Sequence, residues 1–305
     1  MRPFGEFVAP LPGNVATSVY FHLMTDRDTT VRSRELGEAL RRGMERRGMT
    51  GRDVARMLGW SDSRVSRLLS GKRGGREVDI SAVCATTRII GPERERLLKL
   101  CRDVNTPGWL QRHGARLPKQ LRTLVDHENK ATKITDFQPM VVPGLLQTED
   151  YARGLLSGLG TLPEEELDDR VTARMERQKM LGNCRCEHFT FFIHEFALRL
   201  PVGSNEVMSD QLHHLLRMSV RPYITIRVIS AAAGVHAGIA GAFKLMEFAD
   251  ITPVVYLDSQ TACLFLEEHD EIGAYRRVLD VLADIALDEG ESREVIARLA
   301  TELYP

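Results

Sequence analysis

The chain has little of several things that would place it quickly. Aromatic residues make up 6% of its 305 positions, and only two are tryptophan. Cysteine occurs five times, an odd number at irregular spacings. Disulfide frameworks use an even, regularly spaced set, so none is expected, and a cytoplasmic setting is the default. No apolar run approaches the roughly 18 residues that a membrane-spanning helix needs. Glycine-rich phosphate loops of the P-loop or dinucleotide-binding kind are missing, as are internal repeats and low-complexity tracts. Net charge is also nearly missing, with 41 Lys and Arg against 42 Asp and Glu. Such a balance argues against a polyanionic partner only if the charge is evenly spread.

What is present is enough apolar material, 43% of residues, to build real cores. The length suits about two domains of roughly 100–200 residues each. Residues 1–30 read as a flexible N-terminal extension, because Pro3, Pro10, Pro12 and Gly13 break any periodicity. The segment has neither the basic start nor the long apolar stretch of a secretory signal, and Met24 is a candidate natural start.

From Ser33 the period turns helical. Ser33 is the expected N-cap, with Leu36, Leu40 and Met44 on one face and Gly48 at the end. Thr50 should cap a helix over 51–58, Gly59 should turn the chain, and Ser61 should cap a helix over 62–69 that stops at Gly71. Two more short helices are expected near 80–87 and 93–102, divided by Gly91-Pro92. After a break at Asn105-Thr106-Pro107-Gly108, residues 109–135 read as mostly helical and polar. Leu162-Pro163 should open a long helix with Leu167, Val171 and Met175 inward.

The last third mixes periods. Strands are expected at 189–193, 224–229, 243–248, 254–257 and 263–266, and helices at 207–218, 272–287 and 292–303. The expected organisation is therefore multidomain: an all-α domain over 31–104, then a mixed α/β regulatory or partner-binding domain over 105–305.

The charge is not evenly spread. Residues 30–76 hold 13 bases and five acids, a net +8, which leaves −9 on the remainder. A strongly basic segment on an acidic body points to a polyanion-binding module. The same window holds two short helices joined by a tight turn. Such a hairpin needs a small residue in its first helix, a turn residue tolerating positive φ, and a branched apolar residue in its second. Ala55, Gly59 and Val65 fill those roles, with Val54, Leu58 and Leu68 completing the inner face.

The stretch MTGRDVARMLGWSDSRVSRLLSG, residues 49–71, closely resembles the helix-turn-helix of Xre-family, phage-repressor-like regulators. It departs at Gly51, where the family often carries a phosphate-positioning Gln. The resemblance implies double-stranded DNA as partner, with the helix over 62–69 in the major groove. Outward on that helix, Ser63, Arg64, Ser66 and Arg67 are the base-reading candidates, since an arginine can grip guanine O6 and N7 together. Thr50, Arg52, Ser61, Lys72 and Arg73 are the candidates for DNA phosphates. Asp62 is repelled by phosphate and should support the helix N-terminus or orient an arginine.

The rest of the chain is similar to actinomycete Xre-type regulators of the WhiJ-like, antitoxin-like group with a long C-terminal domain. The stretches that carry this are 138–153 (QPMVVPGLLQTEDYAR), 199–203 (RLPVG), 236–243 (HAGIAGAF), 254–258 (VVYLD) and the helices over 275–303. The resemblance implies a nucleoid-associated transcriptional regulator, a homodimer on an inverted repeat, and a small partner protein encoded nearby that controls DNA binding. An antitoxin-like interaction protein, with DNA binding for autoregulation, is the rival reading. Val142-Pro143-Gly144-Leu145-Leu146 reads either as an exposed interface or as a buried turn. The loop over 234–241, with His236, Gly238 and Gly241, is a candidate for a small-molecule ligand or partner, or else a plain hairpin loop between strands.

Enzyme chemistry finds little support. Cys184 and Cys186 have no second pair at zinc-finger spacing, and His213-His214 diverge on a helix. His194-Glu195, His236, Asp258 and His269 fall near strand ends, where an acid–base set would need them to converge. No catalysis, cofactor or metal is expected.

Overall fold

The computed structural model describes residues 30–71, 75–103, 109–112, 118–161, 163–182, 186–259 and 262–304. The extension before Thr30, the 105–108 break, Lys72, Arg73, Leu162 and Cys184 lie outside these residues.

Among the described residues, five helices form the N-terminal part: α1 (Val31–Glu45), α2 (Gly51–Leu58), α3 (Asp62–Leu69), α4 (Glu77–Thr87) and α5 (Gly91–Arg102). The first begins earlier than Ser33. Thr30 is the N-cap, its hydroxyl accepting from the Ser33 amide at 3.1 Å. The extra turn carries Val31 into the core of the C-terminal part, where it is fully buried. The expected α4 also starts earlier, at Glu77, where Asp79 closes the first turn by accepting from the Arg76 amide at 3.3 Å. Leu36, Leu40, Val54, Leu68, Ile80 and Leu97 meet in the helical core.

The C-terminal part is a seven-stranded mixed sheet flanked by helices. Its strands are β1 (Trp109–Arg112), β2 (Lys133–Gln138), β3 (His188–His194), β4 (Ile224–Ile229), β5 (Phe243–Glu247), β6 (Val254–Asp258) and β7 (Ala262–Leu266), in spatial order β1-β7-β6-β5-β2-β3-β4. β2, β3 and β4 are parallel, and the other pairings are antiparallel. Its helices are α6 (Pro118–Glu128), α7 (Glu149–Gly158), α8 (Glu164–Gln178), α9 (Glu195–Arg199), α10 (Asn205–Met218), α11 (His269–Ile285) and α12 (Glu289–Glu302).

The mostly helical reading of 109–135 is corrected here. Among the described residues, that stretch holds β1, one helix, and the start of β2 in mid-sheet. β2 alternates, with Ile134 and Asp136 on one face and Thr135 and Phe137 on the other, but the buried Asp136 makes it look like a polar surface segment. The hairpin reading of the 234–241 loop is also corrected. β4 is an edge strand and β5 pairs with β2 and β6, so the loop crosses over β2 and β3. The Val142–Leu146 turn is internal, with Val142, Leu145 and Leu146 fully buried.

One sheet face, with Ile134, Phe191, Ile226 and Met246, packs under α7, α10 and α12. The other, with Phe137, Phe192, Phe243 and Val255, packs on α11 through Ile272 and Leu282. Of the inward positions expected on α8, only Val171 is buried.

A polar seam joins α1 to the C-terminal part. The Arg34 side chain is 7% exposed, donates to Nε2 of His127 at 3.1–3.2 Å, and lies 3.8 Å from the Glu267 carboxylate. Glu267 also accepts from the Val31 amide at 2.7 Å. One turn on, Glu35 is held by Arg96 and accepts from the Thr123 hydroxyl at 3.1 Å. Arg42 pairs with Asp126 at 3.1 Å.

His127 accepts at Nε2 from a guanidinium, so its proton must sit on Nδ1, which lies 2.7 Å from the Thr123 carbonyl oxygen. Burial first, and then the Arg34 charge, pull it down to about 3 from its ordinary 6.5. The unfolded chain therefore takes up a proton as pH falls through 6.5 while the folded chain does not until about 3. Stability is complete above 6.5 and is lost progressively as the pH falls through that window, by at most about 1.4 kcal/mol per unit. Glu35 and Glu267, raised by burial against their arginine partners, act in the opposite sense at the acid end. Denaturant midpoints should fall between about pH 7.5 and 5.5. The fall should be shallower in His127→Gln; an unchanged slope would remove His127 as its source.

Candidate functional site

Three features set the geometry of the α2–turn–α3 hairpin. Thr50 caps α2, its hydroxyl accepting from the Asp53 amide at 3.3 Å while the Asp53 carboxylate accepts from the Thr50 amide at 2.9 Å. The Thr50 hydroxyl and amide bonds hold the Asp53 carboxyl below its ordinary range. Gly59 takes φ +63°, which an L side chain resists. Ser61 caps α3, accepting from the Arg64 amide at 3.3 Å. Ala55 on α2 and Val65 on α3 are each 1% exposed.

This leaves one face of α3 open. Asp62, Ser63, Ser66 and Arg67 are exposed. Arg64 is partly covered: its Nη2 donates to Asp79 Oδ1 at 2.9 Å, and its guanidinium lies 4.0 Å from the centre of the Trp60 ring. An arginine held by a carboxylate and an aromatic face loses less rotamer freedom when it meets a ligand. Asp62, in the first turn of α3, lies 3.8 Å from Arg52, and both side chains are well exposed. The Ser63 and Ser61 hydroxyls lie 3.2 Å apart. Gly51 is not dictated by packing, since a methyl group there would lie 3.7 Å from Val65 Cγ1, an ordinary contact.

The basic window is thus divided. Arg34, Arg41 and Arg42 pair with Glu267, Glu38 and Asp126, two of these pairs across the seam. Among the described residues, Arg46, Arg47, Arg52, Arg56, Arg67 and Arg76 remain on the surface.

Four residues that hold the site were missed in the sequence. Gly37 of α1 lets the C-terminal end of α3 approach so closely that a methyl group would sit 2.2 Å from the Leu69 carbonyl oxygen. Arg41 donates to that oxygen at 3.2 Å. Trp60 and Asp79 hold Arg64. An isolated glycine inside a helical pattern was the signal for Gly37; the Arg64–Asp79 pair spans a segment with no readable period.

In the C-terminal part, His194 and His236 come together with ring centres 5.4 Å apart. Each imidazole serves as a cap, Nδ1 accepting from the amides of Phe196 and Gly238 at 3.2 and 3.1 Å. Glu195 accepts from the Ala231 amide at 2.9 Å and pairs with Arg199. Gly238 lies against the Phe137 ring, and Gly241 takes φ +124°. Asp258 lies elsewhere, on a cavity with Lys244 and Tyr256.

Comparison with known proteins gives two family matches. A model described as a helix-turn-helix domain matches residues 35–97, and one described as a domain of unknown function (DUF5753) matches residues 121–298. No curated protein matches. Among solved structures, TrmBL2, an archaeal chromatin protein described as showing a novel mode of DNA binding, is 8% identical, with 79% of this chain and 88% of that chain covered and a TM-score of 0.29. That likeness is too slight to inform either fold or function.

The close approach at Gly37 sets a direct test. Gly37→Ala must push α3 away from α1, and overpacking of this kind costs about 1–3 kcal/mol. The denaturant midpoint should fall accordingly; an unchanged midpoint would show that the α1–α3 contact is loose.

Proposed function

Because the chain belongs to the family of proteins carrying the DUF5753 domain, here preceded by a helix-turn-helix domain, we propose that it is a sequence-specific DNA-binding transcriptional regulator rather than a catalyst. α3 enters the major groove, with Ser63, Arg64, Ser66 and Arg67 reading base edges. Thr50, Arg52, Ser61, Lys72 and Arg73 hold phosphates. The observation that carries this reading is the exposed face of α3, where Arg67 lies on the surface and Arg64 is pre-set by Trp60 and Asp79. The hydroxyls of Thr50 and Ser61 already cap helices, so their phosphate contacts are secondary.

The Xre-type, WhiJ-like assignment rests on the quoted motifs. With it come a cytoplasmic, nucleoid-associated setting, a homodimer on an inverted repeat, and a C-terminal domain that modulates DNA binding through a partner or ligand. No helix among the described residues is long and apolar enough to cross a membrane.

Binding to the DNA upstream of the chain's own gene tests the reading. Each bidentate arginine contact is worth about 1–3 kcal/mol, roughly 5- to 150-fold in affinity. Arg64→Ala with Arg67→Ala should abolish discrimination, and undiminished specific binding would overturn the recognition-helix assignment. Lys72→Ala should weaken all sequences alike and make the salt dependence shallower by about one unit.

One observation favours the antitoxin-like reading. Phe196 on α9, and Val235 and Ile239 in the loop where His236, Gly238 and Gly241 were singled out, are 54%, 86% and 72% exposed around the stacked His194–His236 pair. On that reading a small protein co-purifies in stoichiometric amount from native cells with the unaltered chain and not with Phe196→Ser plus Ile239→Ser. Equal recovery with both would reject this loop as the docking point.

A further inference from the structure

The sheet face under α8 changes character along its strands. Cross-strand partners share a face, so the register defines rows across β2, β5 and β6. The first row, Ile134, Met246 and Val254, is apolar and fully buried. The next, Asp136, Lys244 and Tyr256, is polar. One step further along the same face stand Gln138, Ala242 and Asp258. The small Ala242 leaves room between its neighbours, and a cavity of about 330 Å³ opens there. This is the carboxyl end of β2, and open α/β sheets place their ligands beyond the carboxyl ends of their strands.

The other wall brings cations. Arg174 and Arg177, one turn apart on α8, both line the space. Arg177 lies 2.8 Å from the fully buried Glu128, which also pairs with Lys244; Lys244 in turn reaches Asp136 at 3.2 Å. Those four charges balance. Burial alone would raise Glu128, but Arg177 and Lys244 overcome it and hold the carboxyl below its ordinary range. Arg174 stands apart. It donates to the Gln147 side-chain oxygen at 2.6 Å, and among the described residues no carboxylate lies within ion-pair distance of it. Burial, then the like charge of Arg177, pull it down to about 10, with Asp258 acting only at longer range. Gln147 is itself fixed, donating to the Val142 carbonyl oxygen at 2.7 Å. A guanidinium held in place by a neutral amide, facing a cavity, has an unused fork for a planar anion.

We propose that this cavity is a binding site for a small metabolite bearing a carboxylate or phosphate, received by Arg174 with Arg177 beside it, while Asp258 and Gln138 meet polar groups at its other end. The cavity lies at the lower end of the size range for small-molecule sites, about 300–1,000 Å³, which suits an amino-acid-sized molecule. The site deepens the reading of the C-terminal domain as the part that receives a signal, but binding to it is measured without DNA, so its failure leaves the recognition-helix test untouched.

Thermal unfolding of the full chain with inorganic phosphate, L-glutamate or citrate, at about 10 mM and against chloride of matched ionic strength, tests it through ligand-linked stabilisation. At least one anion should raise the Tm by several degrees. The rise should vanish in Arg174→Met, which removes the fork, and in Ala242→Met, which fills the cavity and leaves every charge in place. Anions also meet the exposed arginines of the helical part. A rise of equal size in Ala242→Met would therefore assign the effect to that surface and overturn the site, as would no rise with any of the three.

Discussion

A buried guanidinium on the first helix decides how the two parts of this chain sit together. Arg34 has almost no contact with water, and its partners, His127 and Glu267, belong to α6 and to the segment after β7. A buried charge deprived of its partner costs about 3–5 kcal/mol, whereas the intact pair adds little over an apolar contact. The seam is therefore better understood as a constraint on geometry than as a source of stability. Undocking α1 would strand Arg34 and Glu267, and also Glu35, whose partners Arg96 and Thr123 lie one on each side. α1 carries the same constraint to α3, because Gly37 and Arg41 fix the end of that helix against it.

α6 faces two ways in its last turns. Thr123 and His127 touch α1, while Leu124 lines the polar cavity and Glu128 is gripped by Lys244 and Arg177. Adjacent residues on a helix point about 100° apart, so 123 and 127 form one stripe and 124 and 128 the next. No flexible linker intervenes between the two stripes. A displacement of Glu128 moves the backbone that holds His127, and with it the acceptor on which Arg34 depends. The cavity and the helix-turn-helix part are thus joined by one rigid element and one buried hydrogen-bonded pair.

The helical part was largely legible because its signals are local. Cap residues, the φ-positive Gly59 and the inward Ala55 and Val65 lie within a few residues of what they act on, and the helices form close to where the sequence puts them. The β-branched and aromatic strands of the last third were legible for the same reason. β2 was not: its Asp136 is a charged residue in mid-sheet, stabilised by Lys244, more than a hundred positions away. The cap of α1 was misplaced by one turn because Val31 is buried by the other part of the molecule, a contact invisible to local periodicity. Arg64 was named for its chemistry, but what holds it, Trp60 and Asp79, depends on how α4 folds back.

The near-neutral total charge also acquires a physical meaning. Of the bases in the +8 window, Arg34, Arg41 and Arg42 are tied to carboxylates within the fold, so the charge offered outward is smaller than the count suggests and more localised. Among the described residues, Arg46 and Arg47 after α1, Arg52 and Arg56 on α2, Arg67 on α3 and Arg76 before α4 remain exposed. The rest of the chain carries −9. At physiological salt, exposed charges act over about 8 Å, so the two surfaces are felt separately rather than as their sum. A polyanion is disfavoured near the acidic remainder and favoured near the exposed arginines of α2 and α3. The excess of acid elsewhere therefore does not weaken the case for a nucleic-acid partner; it restricts the orientations in which that partner can arrive.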